Sequence, residues 1–184
     1  MDNKKEFPKR KPTRLSFFDY GTSGAYFITV CTESRKKLLS EIIKTPHPLS
    51  SVGEGLAPPE YTCKLTPCGE IAKDQLLALE TRFPFVSVED YIIMPDHIHA
   101  IIFLHENAGG ASPSPTLCDI VCAFKSLSAR ICKQRYGVEK LYQRSFAEHI
   151  IRDRNDYETR KKYICENPLR WHYKHLNTES WKDL

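Results

Sequence analysis

The stretch DYIIMPDHIHAIIFL at residues 90–104 constrains this chain more than any other. Two apolar, β-branched runs, 91–94 and 98–104, flank Pro95-Asp96, and each has the length and composition of a strand. Proline cannot donate to a ladder, so Pro95 belongs at the join between strands. Alternation along the second run sets His97, His99, Ile101 and Phe103 on one face and Ile98, Ala100, Ile102 and Leu104 on the other. Both faces are mostly apolar, which predicts a central strand covered on at least one side. Two imidazoles at the start of such a strand can converge on one cation. A bare H-x-H is common by chance, and on these residues alone core or rim histidines with ordinary hydrogen-bond partners are the better reading.

The rest of the chain arranges itself around that hairpin. Residues 1–14, dense in Lys, Arg and Pro, read as a flexible basic arm. AYFITVCT at 25–32 is a strong strand, and 38–43 a possible short one. Residues 45–60, rich in proline and glycine, read as a long surface loop. A helix follows from Pro67 to about Arg82. Residues 105–115 form a second flexible linker. An amphipathic helix then spans about 116–136, with Ile120, Phe124, Leu127 and Ile131 as its core stripe. Lys125, Ser126 and Arg130 lie off that stripe, as a solvated face or as the lining of a phosphate groove. Gly137 stops the helix. Residues 141–152 read as a strand with a turn. The last helix starts at Asn155, with Glu158 completing a capping box, and ends by Asn167, because proline at 168 disfavours helical geometry before it. Trp171, Tyr173 and Trp181 then belong to a short tail packed back on the domain. This order predicts an α+β, ferredoxin-like sandwich: an antiparallel sheet with helices on one face, plus a C-terminal helix. The expected organisation is a basic arm at 1–14, one domain at 15–176 and a tail at 177–184.

The chain has 184 residues and a formal net charge of +4, which permits a polyanionic partner without requiring one. It contains no apolar run near the roughly 20 residues of a membrane span and no secretion signal, so a cytoplasmic location without a membrane partner is expected. Seven cysteines without a C-x-x-C pair fit free thiols in a reducing compartment. Cys63 and Cys68 lack the second pair a zinc site needs.

Tyr163 and Asn167 are four apart on the last helix and therefore share a face. Tyr157 and Ile164, seven apart, define the core line, and Tyr163 sits about a quarter-turn off it, where a phenol can reach a cleft.

Taken together, these motifs resemble those of the REP-associated tyrosine transposases, within the single-tyrosine HUH endonucleases. MPDHIH at 94–99 matches the histidine motif, and DIVCAFKS at 119–126 resembles the family's basic helix. YQRSF at 142–146, followed by His149 and Arg152, matches the segment leading to the catalytic helix. YICENP at 163–168 matches the nucleophile motif. The insertion at 45–60 is the clearest departure. The resemblance implies Tyr163 as nucleophile, with His97, His99 and Asn167 holding a divalent cation, Mg or Mn. It implies cleavage and rejoining of single-stranded DNA, at hairpin elements, through a covalent 5′-phosphotyrosine, by a monomer or homodimer. Lys125, Ser126, Arg130, Arg144 and Arg152 are then the expected DNA-binding residues. Two alternatives stay open: an inactive ferredoxin-like nucleic-acid-binding module, and a metal-dependent phosphodiesterase that uses water, with Tyr163 structural.

Overall fold

The computed structural model describes residues 23–45, 60–106 and 115–179. The basic arm, nearly all of the 45–60 insertion and most of the 105–115 linker lie outside the described residues, as does Trp181. In chain order the elements are β1 (Gly24–Cys31), a 3-10 turn (Glu33–Arg35), β2 (Ser40–Lys44), β3 (Tyr61–Leu65), α1 (Pro67–Arg82), β4 (Val86–Ile93), β5 (His97–Leu104), α2 (Leu117–Tyr136), β6 (Ala147–Ile151) and α3 (Arg154–Glu179). Four strands form one antiparallel sheet in the order β4-β5-β1-β6, while β2 and β3 pair as a separate ribbon. With that ribbon set aside, the connectivity is the ferredoxin-like one expected.

The period-2 pattern of β1 and β5 divides the core. Tyr26, Ile28, Val30, Ile98, Ala100 and Ile102 pack with Leu76 and Leu79 of α1 and Leu117, Ile120 and Phe124 of α2. The opposite faces of the same strands give Phe27 and Ile101, which pack on Ile164 of α3. The sheet is therefore covered on both sides, by α1 and α2 on one and by α3 on the other. Full burial of each large aliphatic side chain contributes about 1.5–3 kcal/mol. Thr66 caps α1 by accepting from the Gly69 N–H, and its own hydroxyl donates to the Leu38 and Leu39 carbonyls. α2 carries a capping box between Thr116 and Asp119 and closes on Gly137 at φ 68°, where a left-handed residue is required.

Three local expectations are corrected. β3 has no counterpart among the expected strands; it falls between the insertion and α1 and pairs with β2 from Ser40↔Leu65 to Lys44↔Tyr61. β6 is shorter than the 141–152 strand, with Tyr142 only bridging Thr32. The last helix begins at Arg154, capped by Asp153, whose Oδ1 accepts from the Asp156 N–H at 2.9 Å, so Asn155 and Glu158 form no capping box there. It also continues through Pro168. The proline leaves the Ile164 carbonyl without its helical donor. Packing beyond it offsets that cost: Pro168 is itself buried, and the His172 ring stacks on Tyr61 of β3 with centroids 4.0 Å apart.

No helix among the described residues is long and apolar enough to cross a membrane. All seven cysteines are free thiols. Cys63 lies against the Met94 sulfur, and Cys68 is buried near Cys132.

Candidate active site

The histidines stand where β5 begins beside the end of β1, in register Cys31↔His97 and Thr29↔His99. The Pro95-Asp96 join is tied down from two sides. Leu39 N–H donates to the Pro95 carbonyl at 3.0 Å, and Thr32 donates to the Asp96 carbonyl from N–H (2.9 Å) and hydroxyl (3.0 Å). His97 Nδ1–H donates to Asp96 Oδ1, and Arg35 approaches the same carboxylate at 3.5 Å. Burial pushes Asp96 up, but the bond and charge of His97, with Arg35, outweigh it and hold the carboxyl below its usual range. His99 stacks on Phe27 with centroids 5.0 Å apart, and its Nδ1 lies 2.9 Å from Thr29 Oγ1. Burial first, and then the charge of His97, depress His99 to about 3, so its imidazole is neutral near pH 7. The two rings sit edge to face, 4.6 Å apart.

α3 brings the other half. Ile164, packed on Phe27 and Ile101, fixes the helix's rotation. Tyr163 and Asn167 consequently line one cleft of about 580 Å³ with Thr29, Asp96, His97 and His99. Tyr163 is 37 % exposed and meets His99 edge-on at 5.2 Å; Asn167 is buried. Asp153 caps the start of the helix, and Asp156, ion-paired with Arg160, anchors it to β6 through His149 Nε2 at 2.7 Å.

Among the described residues no group of three or more His, Cys, Asp or Glu is placed to hold a metal. The cleft instead offers two imidazoles and one carboxamide. His99 Nε2 is buried with no hydrogen-bond partner. An orphaned ring nitrogen of a neutral imidazole is costly unless something accepts its lone pair. Both histidines have Nδ1 engaged by a neighbour, the arrangement that orients Nε2 for ligation. This donor set suits a divalent cation, with room for water and phosphate oxygens.

The other tyrosines are placed differently. The Tyr157 hydroxyl donates to Asp90 Oδ2 at 2.9 Å; burial and that carboxylate push its phenol up to about 12. Tyr142 is buried on the far side of the sheet, bonded by Ser128, and burial raises its pKa. Tyr173 is exposed on α3 beside His172.

The five expected DNA-binding residues do not line this cleft. Lys125 is half-buried and donates to the Gln143, Arg144 and Ser145 carbonyls at 2.8, 2.9 and 3.4 Å. Because Gln143 N–H donates to the Cys31 carbonyl, Lys125 braces the segment running beside the end of β1. The Ser126 hydroxyl bonds the Cys122 carbonyl within α2. Arg130, Arg144 and Arg152 are exposed, Arg130 on the helix covering the opposite face of the sheet. The cleft's further lining residues, Arg35, Arg170, Trp171, Lys174 and His175, were missed. The signal for four of them was present: residues 163, 167, 170, 171, 174 and 175 form one helical face, hidden by ending the helix at Pro168.

No family model matches the chain. A Haemophilus influenzae protein named only as uncharacterized is 28% identical over 177 residues, 88% of this chain and 89% of its own. Another from that organism, named "Putative REP-associated tyrosine transposase", is 26% identical over 162 residues, 84% of this chain and 76% of its own. A solved structure of a REP-associated tyrosine transposase bound to a REP hairpin matches with TM-score 0.56 at 19% identity, covering 85% of this chain and 74% of that one. At that identity the match bears on the fold.

Proposed function

We propose that this chain, similar to the REP-associated tyrosine transposases in both sequence and fold, is a transposase-like endonuclease that cleaves and rejoins single-stranded DNA. One observation carries the reading. An accessible phenol, a neutral histidine with an orphaned buried nitrogen, a second histidine and a carboxamide meet in one cleft.

His97, His99 and Asn167 would hold a divalent cation, Mg or Mn. Bound there, it would supply Lewis acidity to the scissile phosphate. Asp96 and Thr29 keep the imidazoles oriented through their Nδ1 atoms. The Tyr163 oxygen attacks phosphorus as its proton passes to water, and the departing 3′-oxygen takes up a proton from water in exchange. The new Tyr–O–P bond forms while the P–O3′ bond breaks, giving a covalent 5′-phosphotyrosine and a free 3′-hydroxyl. Because the ester bond is conserved, an incoming 3′-hydroxyl can reverse the step and join strands. Hairpin DNA is the proposed substrate, since the solved relative is bound to a REP hairpin. Arg130, Arg144 and Arg152 are proposed to meet phosphates beyond the cleft, with Lys125 acting through the segment it braces.

The test is incubation of end-labelled single-stranded hairpin DNA with the protein and Mg²⁺ or Mn²⁺, read on denaturing gels. Cleavage with a protein-linked fragment is expected, absent from Tyr163→Phe. Cleavage that leaves free 5′-phosphate and survives Tyr163→Phe would point to the water-using phosphodiesterase. Binding without any cleavage would point to the binding module.

A further inference from the structure

The cations lining the reactive cleft are not those of the basic helix. Arg35 comes from the turn after β1, and Arg170 from the part of α3 beyond Pro168. The turn is built to present Arg35. Ser34 and Arg35 are the two non-glycine residues with left-handed backbone among those described, at φ 52° and 55°. That conformation is costly for a residue with a Cβ and persists only where surroundings impose it. Here they do. The Thr32 hydroxyl proton, shared with the Asp96 carbonyl, bonds the Lys36 carbonyl at 2.7 Å, Glu33 N–H donates to the Leu141 carbonyl at 3.0 Å, and Lys140 pairs with Glu33 at 2.9 Å. The guanidinium thus reaches the cleft beside Asp96, the carboxylate that orients His97.

Arg170 stands at the other wall. Its guanidinium lies over the Tyr163 ring, 5.7 Å from the centroid, and Glu166 accepts from its Nη2 at 2.8 Å. Each arginine is therefore held next to one reactive side chain by a carboxylate. Each side chain also stays open to solvent, 53% for Arg35 and 61% for Arg170. A guanidinium fork fits phosphate as well as carboxylate, so a DNA phosphate can share or replace that partner without rebuilding the wall.

We propose that Arg35 and Arg170 form a two-sided phosphate clamp, gripping two different phosphates of a single strand laid across the cleft: Arg170 the one presented to Tyr163, Arg35 the neighbour on the His97 side. This rests on the single-stranded DNA reading above and names the residues that hold that substrate.

The test uses the full-length Tyr163→Phe protein, which binds without turnover, and a fluorescent single-stranded hairpin oligonucleotide. Binding is followed by anisotropy across salt concentrations. Arg35→Gln and Arg170→Gln should each flatten the slope of log affinity against log salt by about 0.7, the value of one single-strand phosphate contact. Arg35→Lys, which keeps the charge, should retain most of the slope. One methylphosphonate linkage is then walked along the strand. Each Gln variant should become insensitive at one position, and the two positions should differ. Unchanged slopes, with every position as sensitive as in the parent, would overturn the clamp while leaving the DNA reading intact. A parent protein that binds no single-stranded DNA even at low salt would overturn both. Circular dichroism melting of each variant separates lost contact from lost fold.

Discussion

At the scale of single residues, His99 concentrates the chemistry. Its ring is buried and its pKa depressed to about 3, against about 6.5 in an unfolded chain. Below pH 6.5 the unfolded chain takes up a proton that the folded one refuses. The stability this contributes is full above about pH 6.5 and is lost as pH falls toward 3, amounting to several kcal/mol. Urea melts of the metal-free protein should show that decline, and His99→Gln should flatten it. An equally steep decline in the variant would show that another group causes it. The same atom gives a test of the cation that needs no DNA. Mn²⁺ should raise the melting temperature of the wild type at pH 7.5 by mass action, leave His97→Ala and His99→Gln unshifted, and give a smaller shift in Asn167→Ala, where water can replace one amide. Equal shifts in wild type and Asn167→Ala would remove Asn167 from the site.

At the scale of elements, α1 seats on the chain entering β2 through Gly69. A Cβ on Gly69 would lie 1.9 Å from the Leu39 carbonyl oxygen, a backbone atom that cannot swing away. Gly69→Ala should therefore cost several kcal/mol in chemical denaturation, far more than the roughly 1 kcal/mol for removing the Thr66 cap hydroxyl. A Gly69→Ala protein as stable as wild type would mean that the ribbon and α1 slide freely. The elements that sequence reasoning placed well are those whose signals are local: β5 from its alternation, and α2 from its amphipathic period and Gly137, although the buried line of α2 runs through Ile120, Phe124, Ser128 and Cys132 and leaves Leu127 and Ile131 half-buried. β3 was not legible because its partner lies across the long insertion, and the alternation of YTCKL spans only five residues, too short a run to stand out beside a proline- and glycine-rich stretch. α3 was cut short because the rule for proline is local, whereas its remedy is tertiary: His172 on Tyr61, and Trp171 in the cleft. That truncation hid Arg170, Trp171, Lys174 and His175, though Tyr163, Asn167 and the histidines were all read from motifs before Pro168.

At the scale of the molecule, the strand order β4-β5-β1-β6 explains the placing of the site. β5 and β1 are central and antiparallel, so the start of one meets the end of the other. α3 crosses that edge on the face opposite α1 and α2, and only there can a helix residue meet His97 and His99. If the cleft takes single-stranded DNA as proposed, the form of the substrate should matter. Single-stranded hairpins should be cleaved, and a blunt perfect duplex of the same sequence should be a poor substrate on the same gels; comparable rates would contradict that reading. In the proposed reaction Tyr163 becomes covalently joined to DNA. The most direct measurement is to trap the protein–DNA adduct, digest both partners and locate the nucleotide-bearing peptide by mass spectrometry. One modified tyrosine is expected, at 163, with none formed by Tyr163→Phe. A modification mapped to Tyr157, Tyr142 or Tyr173, or an adduct that persists in Tyr163→Phe, would contradict it.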